Sequence, residues 1–349
     1  MRLTISEGVA IAVLVGVLPN VAAPADRSVD VSVEHQTNGI SESMYVRIGG
    51  IDQWIQIRGD DRANPVLLWV NGGPGGSTML DAPAYRSWER LFTVVMWDQR
   101  GEGKTFEKYG ESEAESMSVE QMLSDGIEVT QFLRKHLHKN KIILLSHSWG
   151  SILGIHMIKS RPELFAAYVG TGQVTHLRRQ FEVAYPLLLE RAKANSQAEQ
   201  ELTALGPPPW KSEADYETVN KWADALDPPP APPTEEDRRT WMRLPRPQAP
   251  AYIRAGLEFS NRALSDQIDK EDLPAFATTF AVPVVLIQGK EDLLTTTSVV
   301  RDYFDRIVSS DKRFIELPGA GHDAIFRNRH EFLEQLLTQV RPLVTKNDR

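Results

Sequence analysis

The 349-residue chain is 41% hydrophobic and 25% charged, the composition of an ordinary globular protein, and its length suits one large α/β unit with an insertion. A net charge of -8 leaves no basic field to displace counterions from phosphates, so nucleic acid is not an expected partner. There is no cysteine, which excludes disulfides, thiol nucleophiles and thiolate metal sites.

At the amino end Met1-Arg2 precedes an apolar run over residues 9–18, then Pro19-Asn20 and small residues through Ala23-Pro24-Ala25. This is the layout of a secretory signal peptide cut after Ala25, which predicts a periplasmic or secreted protein. The run is shorter than the about 20 apolar residues that a bilayer span needs, so no integral span is expected in the mature chain. The alternative is an uncleaved leader on a cytoplasmic protein.

Further along, short apolar runs alternate with longer helical patterns, the signature of a mostly parallel sheet flanked by helices. Strands are predicted at 44–48 and 54–58, a hairpin turning at Gly49-Gly50. A third, 66–70, runs into Asn71-Gly72-Gly73-Pro74-Gly75-Gly76, and a fourth, 92–97, into Asp98-Gln99-Arg100-Gly101-Glu102-Gly103. Ser118 and Gln121 form a capping-box pattern, after which Val119, Met122, Leu123, Ile127, Phe132 and Leu133 keep one apolar helical face. Strands follow at 142–146 and 167–170. Residues 174–278 break the rhythm, being helical in pattern and interrupted by proline runs at 207–209, 228–230 and 232–233. Trp210, Trp222, Trp241 and Tyr252 argue against disorder there, so a helical cap is expected, its aromatics either packing the cap or lining a pocket. Strands at 282–288 and 313–317, with helices around 299–307 and 332–340, complete a core of 26–173 and 279–349.

The strongest chemical signal is Ser146-His147-Ser148-Trp149-Gly150, where an apolar strand runs into a turn and then a helix. It reads as a nucleophile elbow, usually Gly-x-Ser-x-Gly, with Ser146 in place of the first glycine and Ser148 as the nucleophile. The glycine loop after strand 66–70 is not followed by Gly-Lys-Ser/Thr and so is no phosphate loop. Its expected role is an oxyanion hole built from the backbone N–H groups of Gly73 and Trp149. A serine hydroxyl needs a base, and the base needs a carboxylate to orient it. Asp292, at the end of strand 282–288, is the expected acid, with Glu291 in the same loop as the alternative. His322, in the small-residue loop after strand 313–317, is the expected base, and acid before histidine is the order this fold uses. The other histidines form no metal pattern, and neither metal nor cofactor is expected.

These residues resemble the proline iminopeptidase branch of the α/β hydrolases. Asn71-Gly72-Gly73-Pro74-Gly75 is similar to that branch's His-Gly-Gly-Pro-Gly, and Asp98 to Gly103 to its Asp-Gln-Arg-Gly-x-Gly. The resemblance implies an α/β-hydrolase fold with a helical cap insertion, the triad and oxyanion hole above, and Asp98 and Arg100 bracing the oxyanion loop. Members of the branch hold the substrate's free amino group with cap glutamates, one in a Glu-Asn-His-Tyr-Phe-like stretch that this chain lacks. Glu182, Glu190 and Glu258 are the candidate substitutes. The expected activity is hydrolysis, through an acyl-enzyme, of a small molecule or short peptide. An N-terminal proline aminopeptidase, an esterase, a lactonase and an acyltransferase all fit that chemistry. A non-catalytic binding protein would be expected to lack a triad member.

Overall fold

The computed structural model describes residues 38–210, 212–244 and 248–347, so the leader expected at 1–25 lies outside them. Eight strands form one sheet in the order β1-β2-β4-β3-β5-β6-β7-β8. They are β1 (Ile40–Ile48), β2 (Ile51–Gly59), β3 (Val66–Val70), β4 (Thr93–Asp98), β5 (Ile142–His147), β6 (Phe165–Thr171), β7 (Val284–Gly289) and β8 (Lys312–Leu317). The β1–β2 and β2–β4 pairs are antiparallel and all others parallel. This is the α/β-hydrolase fold expected from the sequence.

The burial of each strand follows from its place. Central strands β3 to β7 are buried at every residue because helices cover both faces, and their sequences are accordingly continuous apolar runs. Alternate side chains feed two cores. Leu68, Val95 and Leu144 enter one, while Leu67, Trp69, Met96 and Leu145 enter the other. The first strand is longer than predicted because it is an edge strand, where Ser41, Glu42 and Ser43 are tolerated on a partly solvated ladder.

Between β6 and β7 the described chain carries only helices, the longer ones being Leu177–Ala192, Ser196–Leu205, Glu213–Ala225 and Ala251–Ile268. Phe181, Tyr185, Trp210 and Tyr216 pack ring to ring within this segment, at centroid distances of 5.4 to 6.0 Å. The indole N–H of Trp222 donates to Glu201 at 2.8 Å. Those aromatics therefore build the segment's own core. Helix Ala251–Ile268 instead lies directly on the glycine loops of the sheet. Ser260 Oγ donates to the Gly101 carbonyl at 2.9 Å, and a Cβ at Gly75 would stand 2.6 Å from the Gly256 carbonyl.

Candidate active site

Parallel strands end together at one edge of the sheet, and turns there bring distant residues into register. Ser148 directly follows β5 with φ +53° and ψ -124°, a left-handed backbone that costs a non-glycine residue about 1–3 kcal/mol and lifts its side chain above the sheet. The turn is held by Ser148 N–H donating to the Thr171 carbonyl at 3.1 Å and by Ser151 N–H donating back to Ser148 O at 2.8 Å. Helix Trp149–Ser160 starts at once and must cross β3 closely. A Cβ at Gly150 would stand 2.3 Å from the Val70 carbonyl. The substituted first position of the motif is absorbed across the elbow, since a Cβ at Gly154 would meet Ser146 Oγ at 2.3 Å. The missing methyl of one residue makes room for the hydroxyl of the other.

His322 Nε2 stands 3.0 Å from Ser148 Oγ, and Nδ1 stands 3.1 Å from Asp292 Oδ2. With Nδ1–H donated to the carboxylate, Nε2 is left as an acceptor for the serine hydroxyl. All three are buried. Asp292 is held by more than the histidine. Its Oδ1 accepts from the backbone N–H of Leu294 and of Thr295, both at 2.8 Å, and its Oδ2 accepts from Gln288 Nε2 at 2.7 Å and Thr295 Oγ1 at 2.6 Å. Burial opposes charge on both partners, but on each the opposite charge and hydrogen bonds outweigh it. The Asp292 carboxyl is lowered and the His322 imidazole raised. Glu291, the alternative acid, instead uses its backbone N–H to bond the Ala320 carbonyl at 2.9 Å, tying the acid loop to the histidine loop.

The glycine loop leans on the elbow. A Cβ at Gly72 would stand 2.9 Å from Ser148 Cβ and 3.0 Å from His147 Nδ1. Gly73 has φ +121°, and a Cβ there would fall 2.7 Å from the N atoms of Gly75 and Gly76. Trp149 N–H is at the first turn of its helix, where backbone donors have no intrahelical acceptor. Asp98 braces this loop through Ser77 Oγ at 2.6 Å, and Gln99 Nε2 donates to the Asn71 carbonyl at 3.3 Å. Arg100 departs from the expectation. Its guanidinium bonds Asp125 at 3.0 Å, Glu113 at 2.7 Å and the Gly49 carbonyl at 2.7 Å. It thus clamps the β1–β2 hairpin to neighbouring helices, and the glycine loop is braced by Asp98 and Gln99.

The three cap glutamates are exposed and ion-paired along their own surface: Glu182 with Arg179 at 3.5 Å, Glu190 with Lys193, and Glu258 with Arg254 at 2.7 Å. They form a solvated face. A carboxylate of this region whose side chain is buried near the triad is Asp227, which had no motif to mark it. It packs on the histidine loop, where a Cβ at Gly321 would overlap its carboxyl, and its Oδ1 has no hydrogen-bond partner. Arg327 reaches it at only 3.9 Å. Burial, followed by repulsion from Asp292, pushes the Asp227 carboxyl up to about 7.

His147 packs beside His322 and does not reach Asp292 or Ser148 in its place. Its Nε2 faces the His322 carbonyl at 3.3 Å and Asp323 at 3.7 Å, and its ring packs edge-on against Phe326. Burial lowers it to about 3, so it is neutral. His147, His322 and Asp323 bring ligand-type atoms within 4.8 Å of one another, but both nitrogens of His322 are engaged by Asp292 and Ser148. Three of the other described histidines find carboxylates that local sequence did not suggest, His136 with Glu42, His156 with Glu271 and His330 with Asp237, all through tertiary contacts.

Comparison with known proteins gives a consistent picture. Residues 67–335 match the alpha/beta hydrolase family. A probable aminopeptidase of Bacillus subtilis (strain 168) is 30% identical over 287 residues, covering 79% of this chain and 88% of the relative. A proline iminopeptidase of Lactobacillus helveticus is 25% identical over 301 residues, covering 82% and 93%. Among solved structures, a proline iminopeptidase-related protein from Thermus thermophilus superposes with a TM-score of 0.61 at 19% identity, covering 88% of this chain and 99% of that one. The proline iminopeptidase of Mycobacterium smegmatis does so at 0.60 and 17%, covering 88% and 100%.

Proposed function

The chain belongs to the alpha/beta hydrolase family, in its proline iminopeptidase-like branch, and from that premise we propose that it is a serine hydrolase working through an acyl-enzyme on Ser148. The observation that carries the reading is the continuous chain of short contacts from Ser148 Oγ through the His322 ring to Asp292, on a backbone bent to φ +53° at the serine. Ser148 Oγ attacks the substrate carbonyl carbon while its proton passes to His322 Nε2. The negative oxygen of the tetrahedral intermediate is held by the N–H groups of Gly73 and Trp149. Collapse expels the leaving amine or alcohol, which takes the proton from His322, and water repeats the sequence to release the acid. Asp292 stays ionised and stabilises the imidazolium.

The substrate proposed is a peptide or amide with a free N-terminal proline. Relatives named as aminopeptidases and proline iminopeptidases support this reading. Of the carboxylates in the 174–278 segment, Asp227 suits an ammonium better than Glu182, Glu190 or Glu258, because it is buried beside the histidine loop and its Oδ1 is unsatisfied. Small-ester hydrolysis is the second reading, supported by the general reactivity of such a triad towards acyl groups. Two experiments test these statements. A fluorophosphonate probe should label the native chain and spare Ser148→Ala, and equal labelling of both removes Ser148 as nucleophile. Proline p-nitroanilide should be cleaved in preference to short p-nitrophenyl esters, and cleavage of esters alone rejects the aminopeptidase reading.

A further inference from the structure

The turn beneath the oxyanion loop contains a second acid that the triad does not use. Glu102, at the variable position of the Asp98 to Gly103 motif, is completely buried. Its Oε2 accepts from Gln99 Nε2 at 3.1 Å, and the same amide nitrogen donates to the Asn71 carbonyl at 3.3 Å, which places Glu102 two hydrogen bonds from the glycine loop. Its Oε1 has no partner. Neither do Asn71 Oδ1 or Gln99 Oε1, so this buried cluster holds three unpartnered acceptor oxygens. An ionised Glu102 would add to that deficit a charge that only Gln99 solvates, through its side-chain amide and its backbone N–H. The facing groups do not supply a cation. Asp98 on β4 is itself acidic, and Ser260 and Asn261 on the overlying helix Ala251–Ile268 are neutral. The Lys104 ammonium lies over the Trp54 ring at 4.1 Å, and Arg100 runs to Asp125 and Glu113.

One proton resolves the deficit, because a neutral carboxylic acid has an O–H to donate. We propose that Glu102 is kept as the neutral acid and is a positioning residue, its O–H donating to an orphaned oxygen of Asn71 or Gln99 and so holding the oxyanion loop. Burial, with Asp98 adding repulsion, raises its carboxyl well above the ordinary range, in the same direction. Only the catalytic consequence rests on the serine-hydrolase reading. As pH rises and the proton leaves, the loop loses its donor and activity falls.

The test uses the full chain. Infrared difference spectra between native protein and Glu102→Gln at neutral pH should show the loss of one protonated-carboxyl C=O band, a result independent of which residue is the nucleophile. Glu102→Gln, a neutral isostere that also donates, should keep kcat/KM within about threefold at neutral pH and extend activity to higher pH. Glu102→Ala should lower kcat by about tenfold to a hundredfold. The proposal is overturned if no acid band is lost, if Glu102→Gln falls as far as Glu102→Ala, or if Glu102→Gln does not fold, since a site built for a neutral acid must accept its amide.

Discussion

Gly72→Ala is the sharpest probe of how the glycine loop meets Ser148. The backbone at Gly72 is not left-handed, so the substitution carries no dihedral strain, and its whole effect is steric. The new methyl would lie 2.9 Å from Ser148 Cβ, 3.0 Å from His147 Nδ1 and 3.3 Å from the His147 carbonyl. Unstrained carbon pairs sit about 3.5–4.0 Å apart, so one side must retreat by roughly 0.6 Å or more. The elbow cannot yield easily, because Ser148 is already strained and its N–H is tied to Thr171 O at 3.1 Å. The loop therefore moves, taking the Gly73 N–H with it. Overpacking of this kind costs about 1–3 kcal/mol of stability. A misplacement approaching 1 Å costs about a hundredfold in rate, within the limit of about a hundredfold to a thousandfold for losing an oxyanion donor outright. The matched control is Gly50→Ala, at φ +83° with no atom within 4 Å of the new methyl, which adds only backbone strain of about 1–2 kcal/mol far from the site. Thermal melts and steady-state kinetics on proline p-nitroanilide compare the two. Gly72→Ala should lose kcat and Gly50→Ala should not. If both lose the same stability and neither loses kcat, the loop does not position an oxyanion donor.

Further outcomes can be checked as directly. Asp292→Asn should lower kcat by about 10⁴-fold with little change in KM, because the amide stabilises the wrong histidine tautomer; a loss under tenfold would remove Asp292 from the triad. His322 must be neutral to accept the serine proton, and it is raised by Asp292, so kcat/KM should climb as pH rises through that raised value. The linked stability has the opposite sense. It is fully present below the unfolded value of about 6.5 and is lost as pH rises through the folded one, so chemical denaturation at stepped pH should show stability falling across that window. Asp227→Asn should raise KM for an unblocked proline substrate more than for an ester, and an equal effect on both would assign the residue to packing. Mass spectrometry of the mature protein should find Asp26 at the amino terminus if the 9–18 run directs export, and an intact Met1 would refute it.

The parts of this protein legible in its sequence are those governed by local rules. Strands β3 to β7 could be located because strands covered on both faces are apolar throughout, and β1 and β2 from the turn at Gly49-Gly50, while limits shifted most at edge strand β1, where solvent relaxes that rule. The approach of Ser148, Asp292 and His322 was legible because each follows a strand of a parallel sheet, whose carboxyl ends share one edge. What local pattern could not supply was the choice among chemically equal residues. Glu182, Glu190 and Glu258 lie on helices whose polar faces are solvated, while Asp227 follows helix Glu213–Ala225 and is buried only because that segment docks on Gly321. Arg100 belongs to a motif, yet its partners Gly49, Glu113 and Asp125 come from a hairpin and two separate segments.

Ser148 thus illustrates the division. The sequence by itself determined the sheet, the strained turn at the serine and the order of its partners, since these depend on side-chain periodicity and turn chemistry within a few residues. Only the tertiary structure decided which acids are buried, that burial raises the Glu102 and Asp227 carboxyls, and that His147 packs beside His322, because desolvation is a property of everything packed around a group rather than of its neighbours in the chain.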